Sequence, residues 1–83
     1  MGRARKTLHK ILRANSDASI RFADLCGLLR RLGFAERTRG SHHIFVKEGV
    51  AERIVLQRDS AEAKPYQVRQ VRHIILTYRL ELD

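Results

Sequence analysis

Apolar residues recur at helical spacing in three parts of the chain, and each recurrence predicts a helix with one buried face. The first pattern belongs to a basic N-terminal arm and short helix within residues 1–15, and turn-forming residues at 15–17 then interrupt it. Gly33 is expected to end the second helix, because glycine adopts the left-handed C-terminal conformation without a steric penalty. Pro65 is expected to begin the third, since its missing N–H would be unpaired at the first helical position. The apolar positions are Leu8, Ile11 and Leu12; Phe22, Leu25, Leu28, Leu29 and Leu32; and Val68, Val71, Ile74, Ile75 and Tyr78.

Between residues 34 and 57 the pattern changes to short runs of β-branched and aromatic residues, which predict strands. We expect strands at 34–39, 41–47 and 52–57, joined by turns at Gly40 and at Glu48-Gly49. The element order is then α-α-β-β-β-α, an α+β fold with a three-stranded antiparallel sheet. The two longer helices should pack on one face of the sheet, which leaves the other face and the strand ends open to a ligand.

Length and charge narrow the class of protein. The 83 residues suffice for a single domain, 1–83, with one core. The 17 Lys and Arg residues exceed the 9 Asp and Glu residues and give a formal net charge of +8, which favours a polyanionic partner, with nucleic acid as the first candidate. No apolar run is long enough to span a membrane and no signal-peptide pattern is visible, so we expect a cytoplasmic protein without a membrane partner.

The single cysteine, Cys26, cannot form an internal disulfide and has no zinc-type spacing of Cys or His around it. It is expected to be a buried thiol on a helix. No metal and no cofactor are predicted.

The candidate chemistry lies in the run Gly40-Ser41-His42-His43, which follows two arginines and enters the second strand. Histidine exchanges a proton near neutral pH, and Arg37 and Arg39 are placed to hold a phosphodiester beside it. Adjacent residues on a strand point to opposite faces, so only one of the two histidines should share a site with a given neighbour. Taken alone, a strand histidine is more often packed or hydrogen-bonded than catalytic.

As an ordered set, these features resemble a HicA-type toxin: a Leu-Gly-Phe helix end, the Gly-Ser-His-His run, a hairpin, and a last helix begun by Lys64-Pro65. The resemblance covers about residues 22–80. It implies a fold like that of the double-stranded-RNA-binding domain, and the activity of a metal-independent ribonuclease that cleaves messenger RNA in a type II toxin–antitoxin system. It also implies a HicB-type antitoxin as partner, and it assigns the active histidine to His42.

The chain departs from this family at the end of the third strand, where many members carry another histidine after a Val-Pro pair and this chain has Leu56-Gln57. When the 2′-OH of RNA attacks the adjacent phosphorus, cleavage needs a base, an acid for the leaving oxygen, and positive charge on the phosphate. We expect His42 to serve as the base or the acid, either alone or with a different second group.

The candidates for RNA contact are polar or basic and lie near the histidine turn or on the last helix. Lys64 precedes a helix whose N-terminal N–H groups favour an anion, so Lys64 and this helix end are a candidate phosphate-binding site. The alternative is that Lys64 is a loop lysine without a partner. For His43 a packed or solvated ring is the favoured alternative, and His9 and His73 are expected to be surface residues. The candidates are Arg37, Arg39, Ser41, His43, Lys64, Arg69 and Arg72.

Two other interpretations remain open. A non-enzymatic RNA-binding module of the same fold would use the positive charge for affinity and would bind without cutting. A helix-turn-helix DNA-binding protein built from the first two helices is disfavoured, because no further helix follows before the strands begin.

Overall fold

The computed structural model describes residues 2–13 and 19–82 and confirms the element order α-α-β-β-β-α of an α+β fold. The interruption predicted at residues 15–17 lies outside the described residues. The elements are α1 (Arg3–Arg13), α2 (Phe22–Arg31), β1 (Ala35–Arg39), β2 (His42–Val46), β3 (Ile54–Gln57) and α3 (Pro65–Tyr78).

Both predicted helix boundaries are confirmed. Gly33 follows α2 with a φ of 101°, and the N–H groups of Gly33 and Phe34 bond the carbonyls of Arg30 and Leu29, both at 3.0 Å. Pro65 opens α3, and the Lys64 N–H before it donates to Gln67 Oε1 at 3.0 Å. These two boundaries fix where the chain enters and leaves the sheet region.

The third strand is shorter than predicted and begins at Ile54 rather than at Glu52. Glu52 lies before the strand, where its Oε1 accepts a hydrogen bond at 2.5 Å from the hydroxyl of Tyr78, the last residue of α3. The same hydroxyl accepts a hydrogen bond from the Ala51 N–H at 3.2 Å. The segment before β3 is therefore tied to α3 rather than to the neighbouring strand.

The three strands form an antiparallel sheet in the order β1-β2-β3. Along β2 and β3, Phe45, Ile54 and Leu56 are fully buried, whereas Val46 and Val55 are exposed. This alternation shows that the helices cover one face of the sheet, as predicted, because successive strand residues point to opposite faces. The other face is called the open face below and carries Ala35, Arg37, Arg39, His42, Ile44, Val46, Val55 and Gln57.

The first helix packs on the other two helices, so it lies on the side of the molecule away from the open face. Leu8 and Ile11 of α1 belong to the core, and Arg72 of α3 donates from Nε to the Ile11 carbonyl at 2.9 Å. The core joins all three helices to the inner face of the sheet. Its buried hydrophobic residues are Leu8, Ile11, Ile20, Phe22, Leu25, Cys26, Leu28, Leu29, Leu32, Phe34, Phe45, Ile54, Leu56, Ala63, Val68, Val71, Ile74 and Ile75.

Candidate functional site

The two adjacent histidines point to opposite faces of the sheet, as their positions on one strand predict. His42 is exposed and is paired with Arg39 on β1 and Gln57 on β3. His43 is paired with Thr38 and Leu56, and only 19% of its side chain is exposed. Because residues directly opposite in an antiparallel pair share a face, His42 belongs to the open face and His43 to the inner face.

The surroundings of His42 are basic. Arg39 is its direct cross-strand neighbour, and Arg37 lies two residues earlier on the same face of β1. The strand positions of the open face include no acidic residue. An open groove of about 560 Å³ runs along this face, with Arg37, Arg39 and Arg53 among its lining residues. Arg39 therefore belongs both to the groove and to the surroundings of His42.

Two hydrogen bonds to backbone carbonyls hold the chain beside His42, and both involve the end of β3. The fully buried Gln67 of α3 donates from Nε2 to the Gln57 carbonyl at 2.9 Å. The Arg58 N–H donates to the Ser41 carbonyl at 3.0 Å. His42 consequently projects from a segment fixed by the sheet and by α3, although its own ring is exposed.

Gln57 lies directly opposite His42, at the strand end where the resemblance places a second histidine. Its amide can donate or accept a hydrogen bond, but it does not exchange a proton near neutral pH. Among the open-face strand positions, His42 is therefore the only side chain suited to acid–base chemistry at pH 7.

The inner histidine belongs to a polar cluster that the sequence did not predict. His43 Nδ1 lies 2.7 Å from Glu36 Oε2, and Arg30 donates from Nε to Glu36 Oε1 at 2.6 Å. These bonds, that from Arg30 foremost, hold the pKa of Glu36 below its usual range. Since an ionised carboxylate can only accept, the proton between the two groups lies on His43 Nδ1.

Aromatic and sulfur groups complete this cluster. The His43 ring meets the ring of Phe22 edge-on, with 5.2 Å between centroids. The Cys26 thiol is buried, as predicted, and burial together with the negative charge of Glu36 raises its pKa to about 11. These contacts agree with a packed ring at His43, the favoured alternative, and its role in RNA contact stays a prediction.

Cys26, Glu36 and His43 place one possible metal-ligand atom each within 4.8 Å of one another. A metal ion there would have to displace the proton of a thiol whose pKa is raised. It would also meet the positive charge of Arg30, which already neutralises the carboxylate. The arrangement is better described as a hydrogen-bonded cluster than as a metal centre.

The remaining predicted contact residues are divided between the two sides of the sheet. Ser41 is exposed in the turn beside His42. Lys64 precedes α3 and pairs with Asp59, with 3.5 Å between Nζ and Oδ2, and Arg69 is exposed on the same helix. Arg72 is half-buried and contacts α1. The structure thus brings Arg37, Arg39 and Ser41 to the neighbourhood of His42. Arg69 and Arg72 of α3, and Lys64 directly before it, belong to the helical side.

The two other histidines, His9 on α1 and His73 on α3, are exposed, as predicted. Within the described residues, no helix has the length and apolar character needed to cross a membrane. The cytoplasmic location stays a prediction.

Comparison with known families identifies a family model that matches this chain. The model of the family described as HicA toxin of bacterial toxin–antitoxin matches residues 22–77, which is more than half of the chain. The matched range begins with α2 and covers the whole sheet and nearly all of α3, whereas α1 lies outside it. No curated protein and no solved structure gives a significant match.

Replacing Glu36 by glutamine should lower the free energy of unfolding at neutral pH by about 1–2 kcal/mol, because a hydrogen-bonded charge between Arg30 and His43 is lost. The folded-state pKa of Glu36 is lowered, so its stabilisation is present above the usual glutamate pKa and is lost as pH falls through the folded-state value. Urea unfolding of both proteins should therefore show a difference that shrinks in acid. Glu81→Gln, at an exposed position, is the control, and a difference independent of pH would contradict the assignment.

Proposed function

This chain belongs to the HicA family of toxins of bacterial toxin–antitoxin systems, and we propose that it acts as an endoribonuclease that cleaves messenger RNA. The observation that carries the proposal is the position of His42. It is an exposed imidazole between Arg39 and Gln57, on a sheet face whose strand positions hold arginines and no acids.

The proposed reaction uses groups of the chain itself, without a metal. The 2′-oxygen of a ribose attacks the adjacent phosphorus while neutral His42 accepts its proton. The bond to the 5′-oxygen breaks, that oxygen takes a proton from water, and the products are a 2′,3′-cyclic phosphate and a free 5′-hydroxyl. Arg39 and Arg37 neutralise the phosphate oxygens, on which charge builds up in the transition state. In the alternative assignment, His42 is the acid that protonates the leaving 5′-oxygen, rather than the base that accepts the proton of the 2′-OH.

Because the proposed site has a single acid–base group, we expect RNA cleavage to be slow. Positioned proton transfer contributes about 10²–10⁴-fold, and Gln57 supplies no second proton donor. A slow ribonuclease is the consequence, and a slow ribonuclease suffices for a toxin when each cleavage inactivates a message.

The proposed path of the RNA follows the groove of the open face. The groove offers Arg37, Arg39 and Arg53 to phosphates, and its apolar lining consists of aliphatic residues such as Ile44 and Val46. Glu36 also lines it, with its carboxylate bonded to Arg30 and His43. With no Phe, Tyr or Trp at the open-face strand positions, contact relies on phosphates more than on base stacking. Lys64, Arg69 and Arg72 would be reached by RNA that passes round the sheet onto the helical side.

The presence of Gln57 also supports a second candidate function, that of an RNA-binding module that does not cut. In that case the open face would hold RNA, and His42 would contact its backbone or a base. The two candidates differ only in whether a bond is broken, so an assay of cleavage separates them.

Replacing His42 by alanine should abolish the growth arrest caused by expressing the chain alone, and should lower RNA cleavage in vitro by about 10²–10⁴-fold. The domain should stay folded, because the His42 side chain is exposed. His73→Ala is the matched control, since it removes an exposed histidine from α3. His43→Ala tests the other member of the pair. Undiminished arrest by a folded His42→Ala protein would exclude His42 as the acid–base group.

Replacing Arg37 and Arg39 together by glutamine should weaken RNA binding and reduce its dependence on salt. Each neutralised phosphate releases counterions, so the slope of log K against log salt concentration should flatten by about two units at most. Fluorescence anisotropy across a salt series measures this slope. A slope equal to that of the unmodified protein would place the RNA-binding face elsewhere.

Membership of a toxin–antitoxin family implies an antitoxin, and we propose that a HicB-type antitoxin covers the open face. The exposed Val46 and Val55 give that face an apolar patch beside its arginines. An acidic partner with an apolar contact surface complements such a face and associates rapidly at low salt.

In the complex with its antitoxin, His42 should be protected from modification by diethyl pyrocarbonate, a reagent that acylates exposed imidazoles. His73 should remain reactive, because it lies on the helical side. Mass spectrometry of the free and bound protein compares the two positions. Equal modification of His42 in both states would rule out inhibition by covering the site.

A further inference from the structure

The first helix has an exposed surface made almost entirely of cations. Thr7, Leu8 and Ile11 are its buried residues. Apart from Leu12, every exposed residue of the helix is an arginine, a lysine or a histidine. No acidic residue occurs in the helix. The basic face of α1, as we call it, consists of Arg3, Arg5, Lys6, His9, Lys10 and Arg13.

At the N-terminal end of α1 this distribution of charge opposes the stability of the helix, whereas Lys10 and Arg13 in the last turn agree with the helix dipole. Arg3, Arg5 and Lys6 occupy the N-terminal turn, where the helix dipole favours acidic residues and none is present. Lys6 and Lys10 stand four residues apart, a spacing at which like charges repel. Among the residues that the structure describes, the acidic partner of this face is Asp24 of α2, which accepts from Arg3 at 3.3 Å in an exposed pair of small energetic value. A helix selected for stability alone would carry at least some acids.

We propose that the basic face of α1 is a second RNA-binding surface, which holds the backbone of double-stranded RNA without reading its sequence. Bound phosphates would relieve the repulsion among its cations. The surface lies outside the range matched by the family and on the side of the molecule away from the open face. It therefore acts apart from His42 and anchors the chain to structured RNA while the open face holds the strand to be cut.

The chemistry of the face favours a nucleic-acid duplex over a single strand or a lipid surface. A rigid helix presents cations at fixed spacing, and phosphates of an RNA duplex are fixed in the same way. No Phe, Tyr or Trp is available on α1 to stack on unpaired bases, the contact on which single-strand binders commonly rely. Leu12, with 42% of its surface exposed, is the only exposed large apolar residue on the helix, too little to insert into a lipid surface.

The part of the inference that names RNA as the natural ligand rests on the proposed function. The test measures binding alone, in full-length protein carrying His42→Ala so that the probe stays intact. The probe is a fluorescent RNA duplex of about 16 base pairs, the length that one double-stranded-RNA-binding domain spans. Arg5→Gln with Lys6→Gln removes two charges from the basic face, and Lys47→Gln with Arg79→Gln removes two charges that lie on neither surface.

The Arg5/Lys6 variant should bind the duplex about tenfold more weakly at 0.1 M salt, and its slope of log K against log salt should flatten by about 1–2 units. The Lys47/Arg79 control should change both quantities much less. Thermal unfolding should show that the Arg5/Lys6 variant is at least as stable as its parent, because both removed charges oppose the helix dipole. Weaker binding then cannot be attributed to unfolding.

Equal salt slopes for the Arg5/Lys6 variant and the control would overturn the proposal. So would a variant that keeps duplex affinity but loses binding to vesicles of phosphatidylserine and phosphatidylcholine, which would assign the face to a lipid surface. Failure of the proposed function is recognised separately, by a protein with native His42 that does not cleave RNA. That result leaves the duplex-binding comparison intact.

Discussion

The burial of Phe45 in the middle strand is the constraint on which the site depends. Phe45 is fully buried against the helices, and strand residues alternate between faces. Its position therefore directs His43 inward and His42 outward. A slip of one residue along the strand would exchange the two histidines and would expose an aromatic ring to water. The same packing that stabilises the core thus selects which imidazole can meet a substrate.

The two faces of the sheet provide environments of different kinds for chemically identical rings. His43 is held by Glu36 and Phe22, with Arg30 behind the carboxylate. His42 projects beside arginines from strand ends that α3 and the turn keep in place. The His43 ring is held in one orientation by a carboxylate and an aromatic neighbour. The His42 ring is exposed on a fixed backbone, so a substrate can reach it. Acid–base chemistry on RNA needs access first, which is why the proposal rests on His42.

Much of this arrangement could be predicted from the sequence because it follows from local rules. The helix end at Gly33, the helix start at Pro65 and the opposite orientation of His42 and His43 each depend on backbone geometry over a few residues. The shortened third strand could not be predicted, since Glu52, at its predicted start, instead accepts a hydrogen bond from Tyr78, a residue far away in the sequence. The Glu36 contact was predictable in part. A two-residue turn at Gly40 and Ser41 sets the register that places Glu36 diagonally across from His43, but only the packed α2 supplies Arg30 and Cys26.

The burial of Cys26 has a consequence for the redox behaviour of the chain. It is the only cysteine in the sequence, so any disulfide would have to join it to another molecule. Its thiol is 2% exposed, and a pKa of about 11 keeps it protonated at neutral pH, whereas oxidation and disulfide exchange proceed through an accessible thiolate. As long as the domain is folded, the chain is consequently inert to oxidants that would cross-link an exposed cysteine.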